Sequence, residues 1–426
     1  MQFRYGLDDR PPLREVLLCG LQWFAVTIPV LIIIGKISGS FHFTDADAQL
    51  VYLQKMMFVM SAALAAQLLW GHRMPLIVGP SSVLLIGIIA ASGQSLDRIY
   101  TSILCGGLFL AAISLSGLLR HLKRVFTPCV VAVVLLLVAF TLAPTILKLV
   151  TSGPGCAAPL TRLLFAVALV FATFGLQRLL AGMWKSTLIA GAMLAGSVLW
   201  FLVDPQSMEV PAVVGPAPLS GFFRGLTAMQ IDAGVLISFL FCYVALLVND
   251  LGSIESMNAL LESEKGETRI SRGVLVTGLA NVAAGFLGVI GPVNFSLSPG
   301  VIVATGCASR IAMFPAAALL LILSFSPAAI GVLSNIPAVV VGTMLLYVLS
   351  LQISAGLVMA FEAAGGFKIA DGLVIGLPLL LSTIIAFLPA PVLETFPAIL
   401  RPIVGNGFIV GVAASLIMEH GLYRSR

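Results

Sequence analysis

The chain has 426 residues, 59% of them hydrophobic and 10% charged, against roughly 25% charged in an average soluble domain. No soluble interior holds that much apolar surface, so the sequence reads as a polytopic protein of a lipid bilayer, placed at the cell membrane. The net charge of +5 is explained below by topology, which excludes nucleic acid as a partner.

The polar N-terminus, MQFRYGLDDRPPLRE, carries no cleavable signal pattern, so the first span is expected to remain. Apolar runs of about 20 residues suit membrane helices. They fall at 14–36, 46–70, 98–118, 127–149, 160–180, 185–203, 232–252, 271–290, 310–331, 333–355, 370–389 and 399–419. Two shorter segments, 75–92 and 293–306, bring the expected count to fourteen. With the N-terminus inside, Arg4, Arg10, Arg14, Arg120, Lys123, Arg124, Arg178, Lys185, Lys265, Arg269, Arg272, Arg310, Lys368, Arg424 and Arg426 are cytoplasmic. Only scattered cations such as Lys36, Lys148, Arg162 and Arg224 face the other side. That asymmetry follows the positive-inside rule and predicts an even count with both termini cytoplasmic.

Fourteen spans divide into two sevens around the loop 204–231. A unit with an odd number of spans, repeated once, inverts its orientation. The expected fold class is therefore an all-α polytopic membrane protein built as two inverted 7-span repeats. The third member of each half is a short, interrupted segment. MPLIVGPSSVLLIG (74–87) and GPVNFSLSPGVIVATG (291–306) both run Gly-Pro and serines into a half-helix. Pro299 removes a backbone donor and Gly300 relaxes φ. Exposed backbone at membrane depth persists only where it is buried in protein or lines a cavity. Paired interrupted spans at matching positions point to a transporter site at the repeat interface.

Charged residues at membrane depth cost several kcal/mol and usually have a job or a partner. Asp250, in FCYVALLVNDLGSIESMNALL, is the clearest. Asn249 and Ser253 share a helix face at i, i+4, and Asp250 points about 100° away from Asn249. Asp250 is either a structural carboxylate tying helices together or a coupling group. Gln22 beside Trp23 is a polar handle in the first span, Phe295 is placed to stack on a planar ligand, and Asn406 serves a turn into the last span. Enzyme chemistry is excluded. There are four histidines, no paired-carboxylate repeat and no GxxxxGK phosphate loop. The six cysteines, Cys19, Cys105, Cys129, Cys156, Cys242 and Cys307, show neither a disulfide framework nor metal spacing. No cofactor is expected.

GLQWF (20–24), RMPLIVGPSS (73–82), VNDLGSI (248–254) and SLSPGVIVATG (296–306), followed by CASR, resemble the nucleobase–ascorbate transporter family, also called the nucleobase:cation symporter-2 or xanthine/uracil permease family. The resemblance covers essentially the whole chain. It implies a core domain of spans 1–4 and 8–11 (14–118 and 232–331). A gate domain of spans 5–7 and 12–14 (127–203 and 333–419) often dimerises, so a homodimer is expected. It further implies elevator-like transport, with the base held between the broken spans 3 and 10 and span 8.

The signature departs from the family at several positions. Gly300 and Thr305 match, but Leu297 and Ser298 stand at the acid-or-Gln and Asn positions. Asn249 replaces the glutamate three residues before Gly252, and Gln22-Trp23 replaces a Gln-His pair. Base contacts are therefore expected from Asn249, Ser253, Phe295, Ser296, Ser298, Gly300, Ser81 and Gln22, with half-helix amides. An Asn, both donor and acceptor, suits the amide-like edge of uracil or an oxopurine. Coupling to a proton or sodium ion falls to Asp250. The alternative is an anion transporter of the related fold, for sulfate, bicarbonate or a carboxylate, because half-helix N-termini suit an anion. A transport-dead receptor or scaffold is the remaining class.

Overall fold

Polar punctuation decides where the apolar runs become helices. α1 (Leu13–His42) starts directly after Pro12. α2 (Ala46–Leu69) is capped by Asp45, whose carboxylate accepts the Ala48 amide at 3.0 Å, satisfying an N–H that the helix cannot. β1 (Val78–Pro80) and α3 (Ser82–Ala90) follow, then α4 (Leu96–Ser116), which stops at Gly117 in the left-handed region at φ 75°. α5 (Pro128–Thr141), α6 (Ala143–Thr151) and α7 (Pro159–Leu179) each carry a proline in the first turn, where its missing N–H is not needed. α8 (Leu188–Val203) closes this half of the sequence.

The remainder runs α9 (Ala233–Leu260), α10 (Gly266–Leu287), β2 (Pro292–Asn294) and α11 (Ser298–Thr305). It continues through α12 (Phe314–Ser324), α13 (Pro327–Ser334), α14 (Ala338–Phe361), α15 (Ile369–Ala386) and α16 (Gly407–Ile417). The computed structural model describes residues 3–91, 93–119, 127–181, 184–185, 187–208, 222–223, 225–261, 266–295, 298–305, 307–361, 368–397 and 400–423. Expectations for Arg120, Lys123, Arg124, Arg224, Lys265, Ser296, Leu297, Arg424, Arg426 and, in the loop 204–231, residues 209–221 lie outside the described residues.

Among the described residues, nine helices are long and apolar enough to cross a membrane. The protein is thus an all-helical, multi-pass membrane protein. Some expected spans are broken further than their composition indicated. The run 310–331 is a bent pair, α12 and α13, meeting at 99°. Pro327 disfavours helical backbone at the residue before it, and Ser326 is accordingly non-helical. The last run, 399–419, is interrupted before α16, where Asn406 Oδ1 accepts the Phe408 and Ile409 amides at 3.1 and 3.4 Å.

α4 and α10 pack backbone against backbone. A Cβ on Gly107 would lie 2.6 Å from the Val282 nitrogen, and one on Gly278 would lie 2.7 Å from the Ala111 nitrogen. Small residues allow this approach where lipid supplies no hydrophobic drive between helices. On the α7–α8 side, Arg162 and Asp204 form an ion pair at 3.5 Å with both side chains 4% exposed. Asp204 also accepts the Cys156 and Ala157 amides. Arg162 donates to the Pro154 carbonyl at 2.7 Å and stacks over Trp200. One continuous apolar core links Trp23 of α1 to Val412 of α16.

Candidate functional site

Gly-Pro sequences hold both interrupted segments extended just before their half-helices. β1 and β2 consequently meet as an antiparallel pair, with Val78 opposite Asn294, Gly79 opposite Val293 and Pro80 opposite Pro292. Bonds outside the strands extend the ladder: Ser81 N–H donates to the Gly291 carbonyl at 3.0 Å, and Phe295 N–H to the Ile77 carbonyl at 2.9 Å. The pairing satisfies backbone groups that lipid would leave unpaired. Ser81, fully buried, caps α3 by accepting the Leu84 amide at 3.3 Å. Ser298 accepts the Ile77 amide at 2.9 Å and donates to the Phe295 carbonyl at 3.0 Å. Ser298 therefore ties the two segments together through its hydroxyl, whereas Ser81 does so through its backbone N–H and uses its hydroxyl to cap α3.

Behind the crossing lies a buried polar array. Asp250, 1% exposed, accepts the Asn294 backbone amide at 3.0 Å, its side-chain amide at 2.7 Å and the Thr277 hydroxyl at 2.9 Å. Gln67 of α2 donates to Thr277 Oγ1 at 3.0 Å and to the Gly273 carbonyl at 2.9 Å. The Met74 amide donates to His72 Nδ1 at 3.0 Å. The ring proton then belongs on Nε2, which donates to Asn294 Oδ1 at 3.1 Å. His72, Asn294 and Asp250 thus form a line of donors and acceptors with a single sense. Neutral donors satisfy Asp250, and among the described residues no cationic side chain pairs with it. Ser253 donates to the Asn249 and Asn294 carbonyls at 2.9 and 3.0 Å, so it also belongs to this framework.

In front of the crossing lies a cavity of about 170 Å³. Asn249, Phe295, Ser82, Val83 and, from α1, Val30, Ile33 and Ile34 line one side. α5 and α14 line the other, with Gln352 as its polar group. Phe295 lies over Gly79, where a Cβ would collide with the ring. The bare backbone at Gly79 is what lets the ring sit there.

The structure brings Asn249 and Phe295 to the cavity wall and puts Ser81, Ser253 and Ser298 in the supporting crossing. Asp250 stands on a different face of α9 from Asn249, turned toward α10 and β2. Gln22 is buried in α1 away from the lining, its Nε2 without a hydrogen-bond partner among the described residues. Gly300 is the third residue of α11. Sequence reasoning missed Gln352, Ser82, His72, Thr277 and Asn281. Gln352, as a lone amide in an apolar run, carried a usable signal. Asn281 had none: its role, donating to the Thr277 and Pro292 carbonyls at 2.8 Å each, exists only once α10 meets β2.

A family model described as "Permease family", that of the xanthine–uracil permeases, matches residues 14–391. The chain belongs to the nucleobase–ascorbate transporter family. It is a transporter, not an enzyme. Among its relatives, the xanthine permease XanQ of Escherichia coli is 22% identical over 445 residues, covering 97% of this chain and 92% of that protein. The uric acid permease PucJ of Bacillus subtilis is 23% identical over 367 residues, 82% of this chain and 78% of the other. Among solved structures, the transmembrane domain of a cyanobacterium bicarbonate transporter, BicA, superposes with a TM-score of 0.62 at 18% identity, covering 89% of this chain and 98% of that one. This last likeness is one of fold.

Proposed function

We propose that the chain is a permease for a purine or pyrimidine nucleobase. The observation that carries this reading is the cavity in front of the strand crossing, where an aromatic face (Phe295) adjoins an amide (Asn249). A planar base needs a surface to stack on and a partner with both donor and acceptor for its edge. Relatives named xanthine and uric acid permeases support the same substrate class. In this reading Asn249 reads the base edge, with Ser82 and Gln352 as further polar partners. The Ser298–Gly300 amides of α11 border the ligand, where bulk at Gly300 would intrude.

The architecture proposed with it has fourteen crossings as two inverted repeats, both termini cytoplasmic. Nine long helices, the bent α12–α13 pair, the shorter apolar helices beginning at Leu188 and Gly407, and two strand-plus-helix units give that number. A core domain (14–118 and 232–331) moves against a gate domain (127–203 and 333–419), the latter also carrying the homodimer contact. The cavity supports this division, since α1, α3, α9 and β2 line one wall and α5 with α14 the other. Coupling to a proton or sodium ion is assigned to Asp250, a buried carboxylate with neutral donors and no ion-pair partner among the described residues.

The test is uptake of labelled xanthine by the reconstituted protein, competed by unlabelled purines, uracil, ascorbate, sulfate and bicarbonate. Competition by nucleobases alone is expected. Competition by sulfate or bicarbonate alone would replace this reading with anion transport, against which stands the uncharged lining of the cavity.

A further inference from the structure

A carboxamide stands on each side of the cavity, Asn249 of α9 on one and Gln352 of α14 on the other. Gln352 is anchored. Its Nε2 donates to the Leu135 carbonyl of α5 at 3.2 Å, and because a carbonyl only accepts, this fixes which end of the amide lies against α5. The nitrogen thus has a partner, whereas Oε1 has none among the described residues. The Asn249 side chain has no hydrogen-bond partner among the described residues at either end. Its amide can therefore turn to match a donor and an acceptor in either order. Among the described residues no charged side chain lines the cavity.

A carbonyl oxygen in an apolar wall loses its hydration when a ligand displaces water, and recovers that loss only if the ligand brings a donor. Resting on the nucleobase reading above, we propose that Gln352 is a specificity-determining residue of the gate side. Its Oε1 accepts from a ring N–H of the base, on the edge away from Asn249. In an oxopurine the six-membered ring offers its amide edge to Asn249, and the imidazole ring supplies the N–H for Gln352. The substrate class narrows to bases that carry an N–H on both edges. A methyl group on either imidazole nitrogen leaves only acceptors there. A ribose does the same, so nucleosides are excluded. The two sides differ in strictness: the rotatable Asn249 amide tolerates changes in the six-membered ring, whereas the anchored Gln352 demands a donor. Sites built to hydrogen-bond a substrate N–H reject the analogue lacking it far more strongly than apolar walls reject a methyl group.

The full-length protein in liposomes takes up labelled xanthine against competition by xanthine and its 1-, 7- and 9-methyl derivatives. In the wild type, the 7- and 9-methyl compounds should compete about tenfold more weakly than xanthine, reflecting one lost buried hydrogen bond. Gln352→Met keeps the length of the side chain without the amide, and the Leu135 carbonyl keeps its helical partner four residues on. In this variant xanthine should bind about tenfold more weakly, and the 7- and 9-methyl compounds should compete as well as xanthine. The 1-methyl compound should keep its wild-type ratio to xanthine, because Asn249 is untouched. Gln352→Glu retains an acceptor at the same reach and should retain the discrimination. Equal competition by the 7- and 9-methyl compounds in the wild type would overturn the proposal. So would discrimination that survives Gln352→Met, which would be steric. Its loss in Gln352→Glu would overturn the proposal too, so the test stands even if Gln352→Met does not fold. No competition by any base would instead overturn the nucleobase reading itself.

Discussion

Asp250 and Asn294 are joined twice, through the backbone amide of Asn294 at 3.0 Å and its side-chain amide at 2.7 Å. One carboxylate thereby fixes both the position of β2 and the orientation of the amide that receives His72. Any motion of Asp250 is transmitted to the strand bordering the cavity. This is why a group facing away from the ligand is a candidate for coupling.

Asp250→Asn replaces an acceptor-only group with one that must turn an N–H₂ toward donors. The loss of buried hydrogen bonds is expected to lower stability by about 1–3 kcal/mol, read as an earlier thermal transition in detergent. In protein that remains folded, counterflow exchange of the base should persist while accumulation against a gradient is lost. Surviving accumulation would place coupling elsewhere. Loss of exchange and accumulation together would make Asp250 a purely structural residue.

Asn249→Ala removes the amide from the cavity wall without touching the Asp250 array. Losing one or two buried hydrogen bonds to the base should weaken binding by about 1–3 kcal/mol, or roughly 5–150-fold in half-saturation. Stability should change little, since among the described residues the Asn249 side chain makes no hydrogen bond to the crossing. A half-saturation constant left at the wild-type value would remove Asn249 from the ligand.

Gly79→Ala tests the aromatic face. The new methyl would overlap the Phe295 ring, forcing the ring off its seat and into the cavity. Affinity should fall as it does in Phe295→Ala, and the double variant should be no worse than the single ones. Additive losses would show that the two residues act separately.

Arg162 and Asp204 provide a stability test remote from the ligand. Removing one partner of a pair this deeply buried strands a charge and costs about 3–5 kcal/mol. Asp204→Asn and Arg162→Met should each lower the melting temperature. The combined variant should recover part of the loss, and a full sum of losses would mean that the pair contributes no coupling.

Much of this organisation was legible in the residues. Composition is enough for the membrane class, and Gly-Pro with serines before a half-run marks the two segments that pair as β1 and β2. Asn249 and Phe295 were found because polar and aromatic groups stand out in apolar sequence. Ser298 was harder to place: a serine before Pro-Gly reads equally as ligand contact or as cap, and only the Ile77 amide at 2.9 Å shows which partner its hydroxyl has taken. His72 was invisible as a partner of Asn294, which is 222 residues away. The bend between α12 and α13 was missed because hydropathy averages over Pro327.

The pairing of β1 with β2 also constrains how the protein is made. Val78 meets its partner Asn294 across more than two hundred intervening residues, so the first strand emerges from the ribosome long before the second exists. Until then its N–H and C=O groups face a bilayer that offers no substitute. Such distant pairing is slow to form, and a chain stopped short of Pro292 would hold an open edge within the membrane. The proposed transport site therefore cannot assemble until β2 has been made, which makes the strand pair a natural checkpoint for biogenesis and a recognisable lesion for membrane quality control.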